Sequence, residues 1–126
     1  MRDDMARPAR ILMVEDEPLI ALDVESVLLD AGYEIGGVAG TLDKALAIVE
    51  GGLCDAAILD ANLNGVNSAP IAEALTARGL PFMVVSGYSA EQQAEALRAG
   101  PILQKPASQD RLLSTLERIL AAKQLR

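Results

Sequence analysis

Four apolar runs punctuate this chain, each too short to be a helix and each breaking off at a polar or charged residue. They are Ile11–Val14, Ala56–Leu59, Phe82–Val85 and Ile102–Leu103, and they give way to Glu15, Asp60, Ser86 and Gln104-Lys105. Short continuous apolar runs bounded by turn residues are the mark of strands buried on both faces. Between them apolar residues recur at helical spacing. The inward sets read as Ile20, Val24, Val27 and Leu28; then Leu42, Ala45, Leu46 and Val49; then Ile71, Ala74 and Leu75; then Ala94 and Leu97; and last Leu112, Leu116, Ile119 and Leu120. Pro18, Thr41, Ser68-Pro70 and Ser108 suit helix starts, and Gly32 and Gly79 suit helix ends. A Gly-rich stretch over 33–39 supplies one more strand, weak enough for a sheet edge, and Pro101 before Ile102 suits the other edge. The fourth helix, over about 90–99, has the fewest apolar anchors and is expected to be the least firmly packed.

Strand and helix thus alternate five times. That pattern predicts an α/β domain with a parallel sheet covered on both faces. Right-handed crossovers make 2-1-3-4-5 the natural strand order. The domain is expected over 10–124, with residues 1–9 as a loose arm and no output domain after it. With 51% apolar but only 2% aromatic residues, the core must be built from Ala, Leu, Ile and Val.

In that strand order the first and third strands are neighbours, and ligand sites form at the carboxyl ends of strands where the connections reverse. Glu15, Asp16, Asp60, Ser86 and Lys105 all stand at such ends. Gathered carboxylates repel, by roughly 4 kcal/mol per pair at about 4 Å and an effective dielectric near 20. One lysine offsets only part of that, and an all-oxygen, water-rich site suits Mg²⁺. With the cation present, Asp60 could act as a nucleophile toward a phosphoryl group, which needs mostly positioning and charge stabilisation. Lys105 and the Ser86 hydroxyl would then contact phosphoryl oxygens. The chain has no histidine, which excludes a Ser-His-Asp triad and a role as histidine phosphodonor, and the net charge of −7 argues against nucleic-acid binding. No apolar run approaches a membrane span and no signal-peptide pattern opens the chain. The lone Cys54 reads as a structural thiol, which fits a cytoplasmic home.

From about Arg10 to Lys123 these residues resemble the receiver domain of two-component response regulators, the CheY-like family. The resemblance implies a doubly wound (βα)5 flavodoxin-like sandwich. It implies that Glu15 and Asp16 hold Mg²⁺ together with Asp60 and the backbone carbonyl of Asn62. It implies that Asp60 accepts a phosphoryl group from a histidine kinase or histidine phosphotransfer protein. Ser86 matches the switch Ser or Thr, and Lys105 matches the lysine of a Lys-Pro pair whose bond to Pro106 is commonly cis. Output would pass to a downstream protein through the face of the fourth helix, fifth strand and fifth helix.

Two departures stand out. Glu15 replaces the more frequent Asp, and Ile102 stands where many receivers place the aromatic ring of the switch. The run Val85-Ser86-Gly87-Tyr88 is similar to the Phe-Ala-Thr-Gly-Tyr subgroup of alphaproteobacterial stress receivers, with Val84 in place of the leading Phe. In this reading Tyr88 shields the acyl phosphate from water and moves with Ser86. Two other readings compete. A pseudo-receiver would bind partners without phosphorylation. An aspartate-nucleophile phosphatase would want a second acid two residues after the nucleophile, where Asn62 stands.

Overall fold

The computed structural model describes residues 7–87 and 93–124. Five parallel strands make the main sheet: β1 (Arg10–Val14), β2 (Glu34–Ala39), β3 (Ala56–Asp60), β6 (Phe82–Ser86) and β7 (Ile102–Gln104). Their order is β2-β1-β3-β6-β7, which is the expected 2-1-3-4-5 when only these strands are counted. A second, two-stranded antiparallel sheet joins β4 (Asn62–Leu63) to β5 (Val66–Asn67). No apolar run in the sequence marks this stretch as strands. Its tip, Asn64-Gly65, adopts positive φ at both positions, the conformation that tight hairpins of this kind demand.

Among the described residues, four α-helices cover the sheet: α1 (Pro18–Asp30), α2 (Leu42–Glu50), α3 (Ala69–Ala77) and α4 (Gln109–Gln124). Leu12, Val14, Leu59 and Val84 face one core with Ala45, Val49, Ile71, Leu75 and Leu97. Ile11, Met13, Ile58 and Met83 face the other with Leu28, Leu112 and Leu116. Consecutive strand residues alternate between the two cores, as a two-unit period requires. Cys54 lies buried just before β3, and burial, chiefly, raises its thiol above the ordinary range.

Caps fall where sequence placed them. Thr41 accepts from the Lys44 N–H at 3.2 Å and Ser108 from the Arg111 N–H at 3.1 Å. Ser68 precedes α3, but its hydroxyl is buried and makes no cap. Two expectations need correction. No ten-residue α-helix follows β6: the described part of that segment is a five-residue 3-10 helix, Glu95–Ala99, with Leu97 as its buried residue. Ala94 before it is extended, at ψ 148°. In α1, Leu28 is buried and Val24 packs against the core as expected, but Ala21 is buried in place of Ile20, which is 40% exposed. Residues 7 and 9 of the arm contact the sheet and the residue before β3. The Ala9 carbonyl accepts from Glu34 at 2.9 Å, and the Arg7 guanidinium lies 3.6 Å from the Asp55 carboxylate. Asp55 Oδ2 also accepts from the Arg10 backbone N–H at 2.7 Å. Burial alone would raise the Asp55 carboxyl, but that hydrogen bond and the two guanidiniums outweigh it and hold it below its usual value.

Candidate functional site

β1 brings the acid pair. Glu15 still donates its N–H to the Ala39 carbonyl at 2.9 Å, so it is the last ladder residue and Asp16 the first beyond it. Both side chains are then tied locally. Glu15 Oε2 accepts from the Glu17 N–H at 3.0 Å, and Asp16 Oδ2 accepts from the Asn64 N–H at 2.9 Å. The β4–β5 hairpin therefore holds one member of the pair in place. Sequence reading missed this role of Asn64, because a backbone donor carries no side-chain signal.

Asp60 closes β3 beside Val85 of β6 and is 9% exposed. Its Oδ1 accepts from the Asn62 N–H at 3.1 Å, and its Oδ2 meets Lys105 Nζ at 3.2 Å. Oxygens of Glu15, Asp16 and Asp60 come within 4.8 Å of one another. At that spacing each ionised pair repels by roughly 3 kcal/mol at an effective dielectric near 20. The Glu15 carboxyl is pushed up to about 7. Burial is the largest cause; the Glu17 N–H lowers it, Asp60 and Asp16 raise it, and Lys105 lowers it slightly. Three hard oxygen donors around one ammonium fit a divalent cation such as Mg²⁺.

Ser86 ends β6 and is 2% exposed. The Lys105 N–H donates to the Ser86 carbonyl at 2.7 Å, which carries the β6–β7 ladder one step past β7 and sets lysine beside serine. The Lys105–Pro106 bond is cis. A polar cleft joins Asp60, Asn62, Asn67, Ser86, Gln93 and Lys105. Gln93, which sequence reading passed over, donates from Nε2 to Ser86 Oγ at 2.7 Å. A larger cavity that also touches Lys105 is walled by Met13, Ile20, Val24, Ile58 and Leu112 and is mostly apolar. Its polar groups are those of the same site, so the chemistry belongs to the polar cleft. Of the residues singled out from sequence, Glu15, Asp16, Asp60, Asn62, Ser86 and Lys105 converge here; Tyr88 lies outside the described residues.

The family model of the response regulator receiver domain matches residues 11–117. The chain is 34% identical over 120 residues to the transcriptional regulatory protein PdtaR of Mycobacterium tuberculosis, covering 90% of this chain and 58% of that one. It is thus similar to little more than half of that relative's length. The solution structure of SdrG from Sphingomonas melonis is 44% identical with a TM-score of 0.78, covering 92% of this chain and 99% of SdrG. The response regulator PhyR from Brucella abortus is 26% identical with a TM-score of 0.80, over 94% of this chain and 50% of PhyR.

Proposed function

Because the chain belongs to the response regulator receiver family of two-component signalling, we propose that Asp60 is its phosphoacceptor and that the phosphorylated form changes which proteins it binds. The observation that carries this reading is the Asp60 carboxylate, buried and held between Lys105 at 3.2 Å and two further acids. A carboxylate so placed is oriented for attack and short of positive charge.

In the proposed reaction an Asp60 oxygen attacks the phosphorus of a phosphohistidine on a histidine kinase or phosphotransfer protein. The new O–P bond forms as the P–N bond breaks, and the imidazole nitrogen leaves with the electron pair. Glu15, Asp16, Asp60 and the Asn62 carbonyl would hold Mg²⁺, which when bound supplies the charge that lets a carboxylate meet an anionic phosphoryl group. Lys105 gives up its pairing with Asp60 Oδ2 in favour of a phosphoryl oxygen. The Ser86 hydroxyl donates to another. Both contacts exist only in the phosphorylated state, so they are the differential interaction that can shift the protein between two conformations. The shift would be read by a partner on the face of the 3-10 turn 95–99, β7 and α4.

Incubation with Mg²⁺ and acetyl phosphate, followed by intact-mass measurement, tests this. Wild type should gain one phosphoryl group and Asp60→Asn none. No gain in wild type would favour a partner-binding pseudo-receiver. Sustained turnover of a phosphate ester would favour an aspartate-nucleophile phosphatase.

A further inference from the structure

Asn62 and Asn67 face each other across the two strands of the β4–β5 hairpin. Members of such a pair project from the same face of the ribbon, and both line the cleft that holds Asp60 and Lys105. The reaction as just described uses neither side chain. Their oxygens are already committed: Asn62 Oδ1 accepts from the Gly65 N–H at 2.7 Å, and Asn67 Oδ1 accepts from the Ala69 N–H at 2.8 Å. The second bond is a structural one. The Ser68 hydroxyl caps nothing, so Asn67 supplies the acceptor for the first N–H of α3. A backbone N–H can be met only by the oxygen of a carboxamide, so neither group can be turned end for end. Each carboxamide keeps its two N–H donors, and among the described residues no protein acceptor meets those of Asn67.

We propose that Asn67 is a phosphoryl-binding residue: with its oxygen fixed on the start of α3, its amino group donates to an oxygen of the phosphoryl group on Asp60. The proposal rests on Asp60 being the phosphoacceptor. A phosphoryl group brings only acceptors into this cleft, and among the described residues that line it Lys105 is the one cation. Lys105 and Ser86 approach from the ends of β7 and β6, whereas Asn67 approaches from the hairpin. Anchoring is what makes the amide useful. A carboxamide held through its oxygen has its donors set before the phosphoryl group arrives, so little side-chain freedom is lost when the bond forms. The same anchoring keeps Asn67 out of a cation's shell, because a hard cation takes oxygen and this oxygen is spent. The contact also ties the phosphoryl group to α3, whose first N–H the same side chain holds.

The side-chain amino group of Asn67 gives its own pair of signals in ¹⁵N NMR of the full chain, so the contact can be watched directly. The probe is beryllofluoride, a phosphoryl mimic on carboxylates, titrated at saturating Mg²⁺. The Asn67 pair should shift when beryllofluoride is added, beyond any change that Mg²⁺ alone produces. Asn67→Ser removes the amino group but keeps an oxygen for the Ala69 N–H, so its melting temperature should stay close to that of wild type. It should bind beryllofluoride roughly five- to tenfold more weakly, the loss of about one hydrogen bond at a solvent-open position. Asn67→Asp keeps the same oxygen and should bind more weakly still, since an acceptor and a negative charge replace the donor. Asn67→Ser binding as tightly as wild type would overturn the proposal, and so would Asn67→Asp binding as tightly as Asn67→Ser. Beryllofluoride binding that leaves the Asn67 pair unmoved would sink the proposal while sparing Asp60 as the acceptor. If wild type binds no beryllofluoride and gains no mass from acetyl phosphate, the phosphoacceptor reading itself fails and takes the proposal with it.

Discussion

On one side of Asp60 stand Glu15 and Asp16, carried by β1, which is paired along both edges and buried from Ile11 to Val14. On the other side stand Ser86 and Lys105. Ser86 ends the inner strand β6, but Lys105 follows β7, three residues long, paired along one edge and preceded by a 3-10 turn with one buried side chain. The acid half is also tied across loops, through the Asn64 N–H to Asp16 and the Glu17 N–H to Glu15. A cation site benefits from donors that do not move. A reporter of phosphorylation must have somewhere to go. Under the proposed function, the two halves would meet those opposite needs with opposite amounts of packing.

The largest test of this contrast compares two fully buried leucines. Leu59→Ala in β3 should cost about 4 kcal/mol, because strands on both sides prevent collapse around the cavity. Leu97→Ala in the 3-10 turn should cost about 2 kcal/mol, since that segment can relax. Urea denaturation measures both, and equal costs would erase the distinction. Gly100→Ala probes the same relaxation in the crowding direction. A Cβ there would meet the Phe82 carbonyl oxygen. If the segment before β7 yields, the cost stays near 1 kcal/mol; if it is rigid, it approaches about 3 kcal/mol.

The pH dependence sharpens the acid half. The Glu15 carboxyl moves from its ordinary 4.5 to about 7 in the fold. A raised acid favours the folded state below its unfolded pKa, and that contribution is lost as pH rises through about 7. A cation must displace the same proton, so Mg²⁺ should bind more tightly as pH rises from about 6 to about 8, by up to roughly tenfold per unit below the pKa. Calorimetric titration should show this slope, flattened in Glu15→Gln. The smallest effect belongs to the hairpin tip. Asn64→Ala puts an alanine at φ 51°, which should cost about 1 kcal/mol. Mg²⁺ affinity should fall with it if Asn64 steadies Asp16, and stay unchanged if the acid pair holds itself.

Strand order and the strand-end residues were legible because buried parallel strands read as bare apolar runs and the connection rules leave few topologies. The hairpin tip carries a readable signal too, since Asn64-Gly65 is a strong turn dipeptide. α1 misled for a physical reason. Leu19, Ile20, Ala21 and Leu22 are consecutive, so no clean face exists, and the sheet takes the small Ala21 while Leu19 and Leu22 stay 77% and 59% exposed. The fourth helix misled differently. Its Ala- and Glu-rich sequence favours helix by propensity, but isolated short helices are marginal without a packed face, and among the described residues Leu97 is that segment's one fully buried anchor. Gln93 was beyond reach, because nothing local to it announces that the chain returns to Ser86.

The sealed position of Cys54, with its thiol held in the protonated form, has a practical consequence. Alkylating reagents and spin labels would find the native chain nearly inert. A cysteine introduced at exposed Glu95 or Arg98 would then report on the turn beside it without background, and native Cys54 could be left in place.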